Sequence, residues 1–456
     1  MEECRLGELR HILTTVFLSG FAEFLVKPVI TDVTVAAVCS GLTDSCSLAV
    51  YLTGVQQVTV GLGTMVMMPV IGNLADTYGI KALLTLPMCL SILPPAILGY
   101  RRDTNFFYAF YVIKILFDIV SQGTVDCLAH AYVAKNVHGR KRIPMFGVLA
   151  GIKSISGVCA TFSARFLPVA STFQVSAISL FVALVYMRIF VKKRLHNDDD
   201  DYIEDDSSGG RNHQEFHDGN VLTILAEPIL DEPIKTHVSN TKYSSLEDMV
   251  CLIRSSTILV QTLVVTFFAT FSQTGMESAL MYFLKARFGF SKNDFAELLM
   301  LFTIIASISQ LVIFPIFVSA VGERKVLSTG LLMEFLTKKF GYVLIMQAAF
   351  LSVAWSPWVP YATTVLEPGA MFVMPSVYGI ASRQVGSGEQ GKVQGCISGV
   401  KSLAGVMAPF VFSPLTVLFL SENAPFYFPG FSLLCIAFSL MIGFLLSFFI
   451  KDISSP

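Results

Sequence analysis

Long apolar runs recur along this chain of 456 residues, and they restrict its fold more than any other feature. A helix needs about 20 mostly apolar residues to cross the hydrocarbon core of a bilayer. Only helices and closed barrels can span lipid, because every backbone polar group must find its partner inside the protein. The runs here are long and continuous, so they predict an all-α membrane protein.

About twelve transmembrane helices account for these runs, with boundaries set to within several residues. The first six runs cover residues 11–38, 48–74, 82–100, 106–133, 143–166 and 170–191. The second six cover residues 256–284, 295–320, 326–354, 358–382, 393–420 and 426–450. Glu334, Lys338 and Lys339 interrupt the ninth run, so its first part either lies along the membrane interface or is an insertion.

Charged residues are concentrated between the sixth and seventh runs. Of the 65 charged residues, 21 lie between Lys192 and Arg254, which leaves the remainder too poor in charge to cover a soluble surface. The segment holds 14 acids and 7 bases and few apolar residues. This composition is typical of disorder. We therefore predict a cytosolic acidic linker at 193–254, an N-terminal six-helix bundle at 1–192 and a C-terminal six-helix bundle at 255–456.

The distribution of lysine and arginine predicts the orientation in the membrane. One side of the predicted topology carries twelve of these residues in its loops and the other side carries six. Because positive loops stay in the cytosol, both termini are predicted to be cytosolic. Cys39 and Cys46 lie in one short connection on the opposite side, where they form either a disulfide or two free thiols. The choice between plasma membrane and endomembrane stays open.

A repeat relates the fifth and eleventh runs. Residues 147–158 read GVLAGIKSISGV and residues 395–406 read GCISGVKSLAGV, so six of twelve positions are identical. Both copies carry a Gly-x-x-x-Gly spacing, which lets helices approach closely, and both carry a lysine, Lys153 and Lys401. The copies are separated by six helices and the linker. The chain is therefore predicted to consist of two similar halves with a site near their interface.

The segment GNLADTYGIK at residues 72–81 follows the second run. Gly72 and Gly79 permit a tight turn at the membrane edge. Asp76 is predicted to cap the next helix or to pair with a base such as Arg140. The segment, which ends at Lys81, resembles the signature of the major facilitator superfamily between its second and third helices, with Ile80 in place of a basic residue.

The chain as a whole is similar to the tetracycline-resistance-like branch of this superfamily and to its eukaryotic hippocampus-abundant-transcript-like relatives. The resemblance implies a major facilitator fold of two pseudo-symmetric bundles around a central cavity, working by alternating access. Two departures weaken a proton-antiport assignment. Ile119 occupies a position where facilitators often carry arginine, and Gly157 is followed by Val158 where drug/proton antiporters have proline.

Polar side chains at bilayer depth predict a substrate and proton pathway. Burying them in lipid is costly, so such groups usually mark function. The predicted pathway residues are Glu23, Lys27, Asp118, Gln122, Asp126, Lys153, Gln273, Glu277 and Lys401. Lys114, Asp118, Gln122, Asp126 and His130 recur every fourth residue and are predicted to lie along one continuous helix. Proton coupling would use Glu23, Asp118 or Glu277.

Two roles are possible for the repeat lysines Lys153 and Lys401. If both face the cavity, they favour an anionic or zwitterionic substrate. Alternatively, each neutralises a nearby acid such as Asp126 or Glu23.

The predicted function is secondary active transport of a small solute, with protons as a candidate second ligand. The alternative is a transporter-like membrane scaffold or sensor that transports nothing. No enzyme, cofactor, metal or nucleic-acid motif occurs in the sequence. We predict a monomer in the lipid bilayer whose substrate the sequence does not identify.

Overall fold

The computed structural model describes residues 2–38, 47–137, 141–191, 256–290, 292–316, 351–364, 372–420 and 424–447. All regular structure within these residues is helical. The predicted linker, Cys39, Cys46 and most of the predicted ninth span lie outside the described residues, so the domain boundaries and the total of twelve helices stay predictions.

In the described residues, seven helices precede the predicted linker, and we call them the N-terminal part. They are α1 Glu2–Val38, α2 Ser47–Tyr78, α3 Ile80–Tyr100, α4 Thr104–Ser121, α5 Thr124–Asn136, α6 Arg142–Ala164 and α7 Val169–Phe190. The described helices of the C-terminal part are α8 Thr257–Phe288, α9 Lys292–Ile308, α10 Val359–Thr363, α11 Val373–Arg383, α12 Gln390–Leu420 and α13 Phe431–Ser447. A π-helical segment, Ser309–Ile313, continues α9.

The outer surface of these helices is apolar. Eight helices in the described part of the chain are long and apolar enough to cross a membrane, yet between 28% and 44% of each apolar stretch is buried inside the protein. Large side chains such as Ile178 and Val417 point outward, with exposed fractions of 61% and 69%. Water would not tolerate so much contiguous apolar surface, so lipid must cover it. The chain is an integral multi-pass membrane protein.

The predicted fourth span is not one continuous helix. Between α4 and α5, Gln122 has φ −66° and ψ 122°, and Gly123 has φ 76° and ψ −9°. These angles describe a type II turn, which requires positive φ at its third residue and therefore favours glycine. The prediction of one helix over 106–133 was wrong, because a single glycine with positive φ ends the helix without changing the apolar pattern on either side. The five polar residues spaced by four consequently lie on two helices.

Each copy of the repeat packs its glycines against a helix of the other part of the chain. In α12, Gly395 and Gly399 lie against the backbone of α2 at Met68 and Met65. In α6, Gly151 faces Leu311 in the π-helical segment that continues α9. Gly147 of the same helix faces Phe314, just after that segment. The small residues allow both pairs of helices to approach closely.

Adding a methyl group at the α2–α12 crossing should destabilise the protein. A Cβ atom on Gly395 would lie 2.6 Å from the carbonyl oxygen of Met68 and 3.0 Å from Cα of Pro69, and neither backbone can move freely. Gly395→Ala is expected to lower the midpoint of thermal unfolding, since overpacking costs about 1–3 kcal/mol.

Gly405→Ala is the matched control on the same helix, because no atom lies within 4 Å of its added Cβ. That change should leave the midpoint unchanged or raise it, since alanine favours a helix over glycine by about 1 kcal/mol. Equal midpoints for the two variants would contradict the packing.

Candidate functional site

A cavity of about 820 Å³ lies between the N-terminal and C-terminal parts. Both parts contribute to its wall, and the volume suits a drug-sized solute. Its charged wall residues are Glu23, Lys27, Lys114, Asp118, Asp126, Lys153, Glu277 and Lys401. The structure therefore brings eight charged side chains from six helices to one space.

The cavity ends where α2 and α12 cross. Its wall reaches Met68 on α2 and Ser398 on α12, and the next turns of these helices pack directly against each other. The two Asp76 carboxylate oxygens accept hydrogen bonds from the backbone N–H groups of Gly391 and Lys392, each at 2.9 Å. These groups belong to the first turn of α12, where the helix dipole favours a negative charge.

A second contact closes the same end of the bundle, which we call the Asp76 end. The guanidinium group of Arg142, at the start of α6, donates a hydrogen bond of 2.9 Å to Oγ of Ser382 in α11. Gln390, which begins α12, bonds to the same hydroxyl group at 2.8 Å. Two independent sets of polar contacts thus join the N-terminal and C-terminal parts here.

The segment 72–81 forms this closure in a way that the sequence did not predict. Asp76 forms its hydrogen bonds with α12 and does not cap the next helix, which begins after Gly79 without a side-chain cap. The predicted pairing with Arg140 is not tested, because Arg140 lies outside the described residues. Gly72 lies against the backbone of Gly391, and Gly79 has a φ of 86°. Lys81 is half-buried in the first turn of α3. Gly391 and its neighbour were missed because they lie more than 300 residues away.

A chain of ion pairs crosses the N-terminal side of the cavity. Lys153 contacts Asp126 directly and lies 3.8 Å from Glu23. Glu23 also pairs with Lys27 at 3.1 Å. Each lysine on this path therefore has a carboxylate partner, which offsets the cost of removing its charge from bulk water.

A separate pair lies on α4. Lys114 Nζ approaches Asp118 at 2.5 Å, and this carboxylate is only 16% exposed. Gln122 lies four residues further along, in the turn between α4 and α5, and its exposed side chain lines the cavity. The interruption at Gly123 separates this pair from Asp126, which lies in the first turn of α5.

Lys401 lines the cavity and contacts a tyrosine. Its Nζ donates a hydrogen bond of 3.2 Å to the hydroxyl group of Tyr378 on α11. The ring of Tyr378 lies 4.0 Å from that of His130, centroid to centroid, and Nδ1 of His130 donates to the carbonyl oxygen of Asp126 at 2.7 Å. Sequence reasoning missed Tyr378, although it lies 248 residues after His130, the separation of the repeat.

Glu277 and Gln273 differ in position. Glu277 lines the cavity, whereas Gln273 does not line it but forms a hydrogen bond with Glu277. Within the described residues, Glu277 has no lysine or arginine at salt-bridge distance. Among the described acids of the cavity wall, Glu277 is thus the one without a lysine or arginine at salt-bridge distance.

The sequence matches one known family over most of its length. The family model described as Major Facilitator Superfamily matches residues 12–409. The chain is 23% identical to the tetracycline resistance protein, class C, of Escherichia coli, over 88% of this chain and 87% of that protein. It is 21% identical to the mouse hippocampus abundant transcript 1 protein over 36% of this chain, and the match spans about a third of that protein.

Solved structures share the fold at low sequence identity. The human organic anion transporter MFSD10 (TETRAN) has a TM-score of 0.74 and 14% identity, covering 97% of this chain and 99% of that chain. The proton:xylose symporter XylE has a TM-score of 0.67 and 10% identity, covering 98% of this chain and 96% of that chain.

Removing the Asp76 carboxylate should open the Asp76 end. Cys127 is a suitable reporter, because it is 2% exposed on α5 and its thiol forms a hydrogen bond with Ser398 of α12. In a protein that retains Cys127 as its only cysteine, Asp76→Ala is expected to speed labelling by a water-soluble thiol reagent. Loss of hydrogen bonds to a charged group shifts such an equilibrium by about 10- to 100-fold.

Asp103→Ala is the control, since this exposed acid pairs with Arg101 at the opposite end of the helices. Its labelling rate should equal that of the unaltered protein. If Asp76→Ala leaves the rate unchanged while thermal unfolding shows a folded protein, the carboxylate does not hold this end closed.

Proposed function

Because the chain belongs to the Major Facilitator Superfamily, we propose that it is a secondary active transporter that carries a small solute across a membrane by alternating access. The observation that carries the proposal is the charged cavity between the two parts of the chain, closed at one end by contacts between those parts.

The composition of the cavity wall supports a solute pathway. Four acids and four lysines line it, although a helical bundle in lipid could be packed with apolar side chains alone. Ionisable groups at this depth cost several kcal/mol or more unless they are paired or hydrated, and they usually mark function. A space that holds water and a polar solute accounts for their presence.

The packing of the repeat supports two six-helix bundles related by a pseudo-two-fold axis. The glycines of α6 and those of α12 occupy equivalent positions of the repeat, and each set contacts the other part of the chain. His130 and Tyr378, one repeat length apart, contact each other, as residues near such an axis should. Rocking the two bundles against each other around the central cavity would separate α2 from α12 and open the Asp76 end.

The relatives do not identify the solute. Their names mention tetracycline, xylose and organic anions, and a shared fold does not transfer a substrate. The class of solute must therefore be inferred from the side chains of the cavity wall.

Transport itself can be tested with purified protein in liposomes. We expect uptake of at least one solute from a panel of sugars, organic acids and organic cations, with and without a pH gradient. Protein-free liposomes give the background. If the folded protein moves none of these solutes, the alternative gains support, namely a transporter-like scaffold or sensor.

We further propose that transport is coupled to protons through Glu277. The three other acids of the cavity wall, Glu23, Asp118 and Asp126, each form an ion pair with a lysine. Glu277 faces the cavity with Gln273 beside it, and Lys27 acts on it electrostatically without forming a salt bridge. An acid without a paired base can gain and lose a proton without breaking an ion pair.

Glu277→Gln is therefore expected to abolish stimulation of uptake by a pH gradient, because an amide cannot exchange a proton. Exchange of labelled for unlabelled solute without a gradient should continue. Asp118→Asn is the matched control, since it removes an acid of the same cavity that is paired with Lys114. If a pH gradient still stimulates uptake by Glu277→Gln but not by Asp118→Asn, then Asp118 and not Glu277 carries the proton.

A further inference from the structure

We propose that the solute is a small organic anion whose charged group binds at Lys401. This inference rests on the proposed transport function and names the class of solute for the same cavity. It follows from the pairing of charges on the cavity wall, from a comparison of the two repeat copies, and from the distance between the two unpaired charges.

Among the described lysines of the cavity wall, Lys401 is the one with no acid within salt-bridge distance. Lys27, Lys114 and Lys153 each have a carboxylate within salt-bridge distance. In the described part of the chain Lys401 has none, and its ammonium group donates instead to the neutral hydroxyl of Tyr378. A lysine held away from bulk water without a counter-ion is costly, and a bound anion would supply that counter-ion.

The repeat provides an internal control for this difference. Lys153 and Lys401 occupy the same position in the two copies, and both line the cavity. Lys153 contacts Asp126, but the position that corresponds to Asp126 in the second copy, 248 residues later, is Met374. The lysine is thus present in both halves, whereas its acid on the fourth span has no equivalent on the tenth.

The surroundings of Lys401 suit a carboxylate, sulfonate or phosphate group. Tyr378, Ser398 and Ser402 line the cavity beside it and carry hydroxyl groups. Tyr378 also holds the ammonium group through its hydrogen bond and lies with its ring 5.8 Å from Nζ. These groups can donate to the oxygens of an anion once it is bound. Tyr378 is therefore a positioning residue for Lys401.

The second unpaired charge, Glu277, is too far away to form a zwitterion site with Lys401. Gly275 of α8 lies against the ring of Phe412, so Glu277 lies close to the level of Phe412 on α12. Phe412 follows Lys401 by eleven residues, which corresponds to about 16 Å along a helix. This backbone separation places the two charges at different levels of the cavity, so a compact zwitterion such as an amino acid is not expected to contact both. Lys401 therefore acts alone as the charged recognition group.

Ligand-induced stabilisation measures this site independently of transport. The probes are benzoate, benzenesulfonate and phenyl phosphate, with benzamide as the neutral compound of matched shape. Purified protein in detergent is expected to unfold at a higher temperature with at least one of the three anions, and benzamide should have no such effect. The three anions distinguish the acid group that the site prefers.

Variants connect the binding to the lysine. Lys401→Gln should weaken anion binding by about 10- to 100-fold, the effect expected for a hydrogen bond to a charged group. Lys401→Arg should retain most of the binding because it keeps the charge. Lys285→Gln is the control, since this exposed lysine lies at the end of α8 outside the cavity wall and its loss should change nothing.

The outcomes separate this inference from the proposed function. Anion binding that depends on Lys401, without transport in liposomes, would support the site and contradict the carrier. Transport of neutral or cationic solutes that is unaffected by Lys401→Gln would support the carrier and overturn the anion inference. The inference is also overturned if no anion stabilises the protein more than benzamide does.

Discussion

The structure depends on how lysines and carboxylates are paired inside a bundle whose outer surface is apolar. A single charge at this depth costs several kcal/mol or more, but a charge with a partner and access to water costs much less. Glu23 lies between Lys27 and Lys153, and Lys153 also contacts Asp126. These contacts tie α1, α5 and α6 together around the cavity. The ion pairs thus stabilise the wall of the space that a solute would enter.

The closure at the Asp76 end combines two physical effects. Glycine at Gly72, Gly391 and Gly395 brings the backbones of α2 and α12 close together, because a Cβ atom at any of these positions would meet the opposite backbone. That proximity brings the Asp76 carboxylate to N–H groups in the first turn of α12, which have no partner within the helix and favour a negative charge. The same crossing also buries apolar side chains of both helices, among them Ile71, Val393 and Ile397, in one cluster. Separating α2 from α12 therefore breaks polar contacts and exposes apolar surface.

The two halves of the cavity have diverged in their chemistry while their packing has remained similar. The glycines and the lysine occur in both copies of the repeat, but Lys153 contacts an acid and Lys401 contacts a tyrosine. Packing requires similar shapes, since both copies must approach a neighbouring helix. A single solute bound in this cavity would lie against both halves at once and would not require identical side chains from them. The asymmetry is thus expected of a cavity that binds one small molecule.

The sequence by itself determined the all-helical membrane class, through apolar length and charge depletion, and the family, through the motif at residues 72–81. The turn at Gly123 was missed, since one residue with positive φ does not change the hydropathy of the helices around it. Only the tertiary structure decided the partners: Asp76 with the start of α12, Lys153 with Asp126 and Glu23, and Lys401 with Tyr378. Whether a buried lysine is neutralised or left to bind a solute depends on which helix lies within a few ångströms of it. That neighbouring helix is determined by packing between residues that are distant in the sequence.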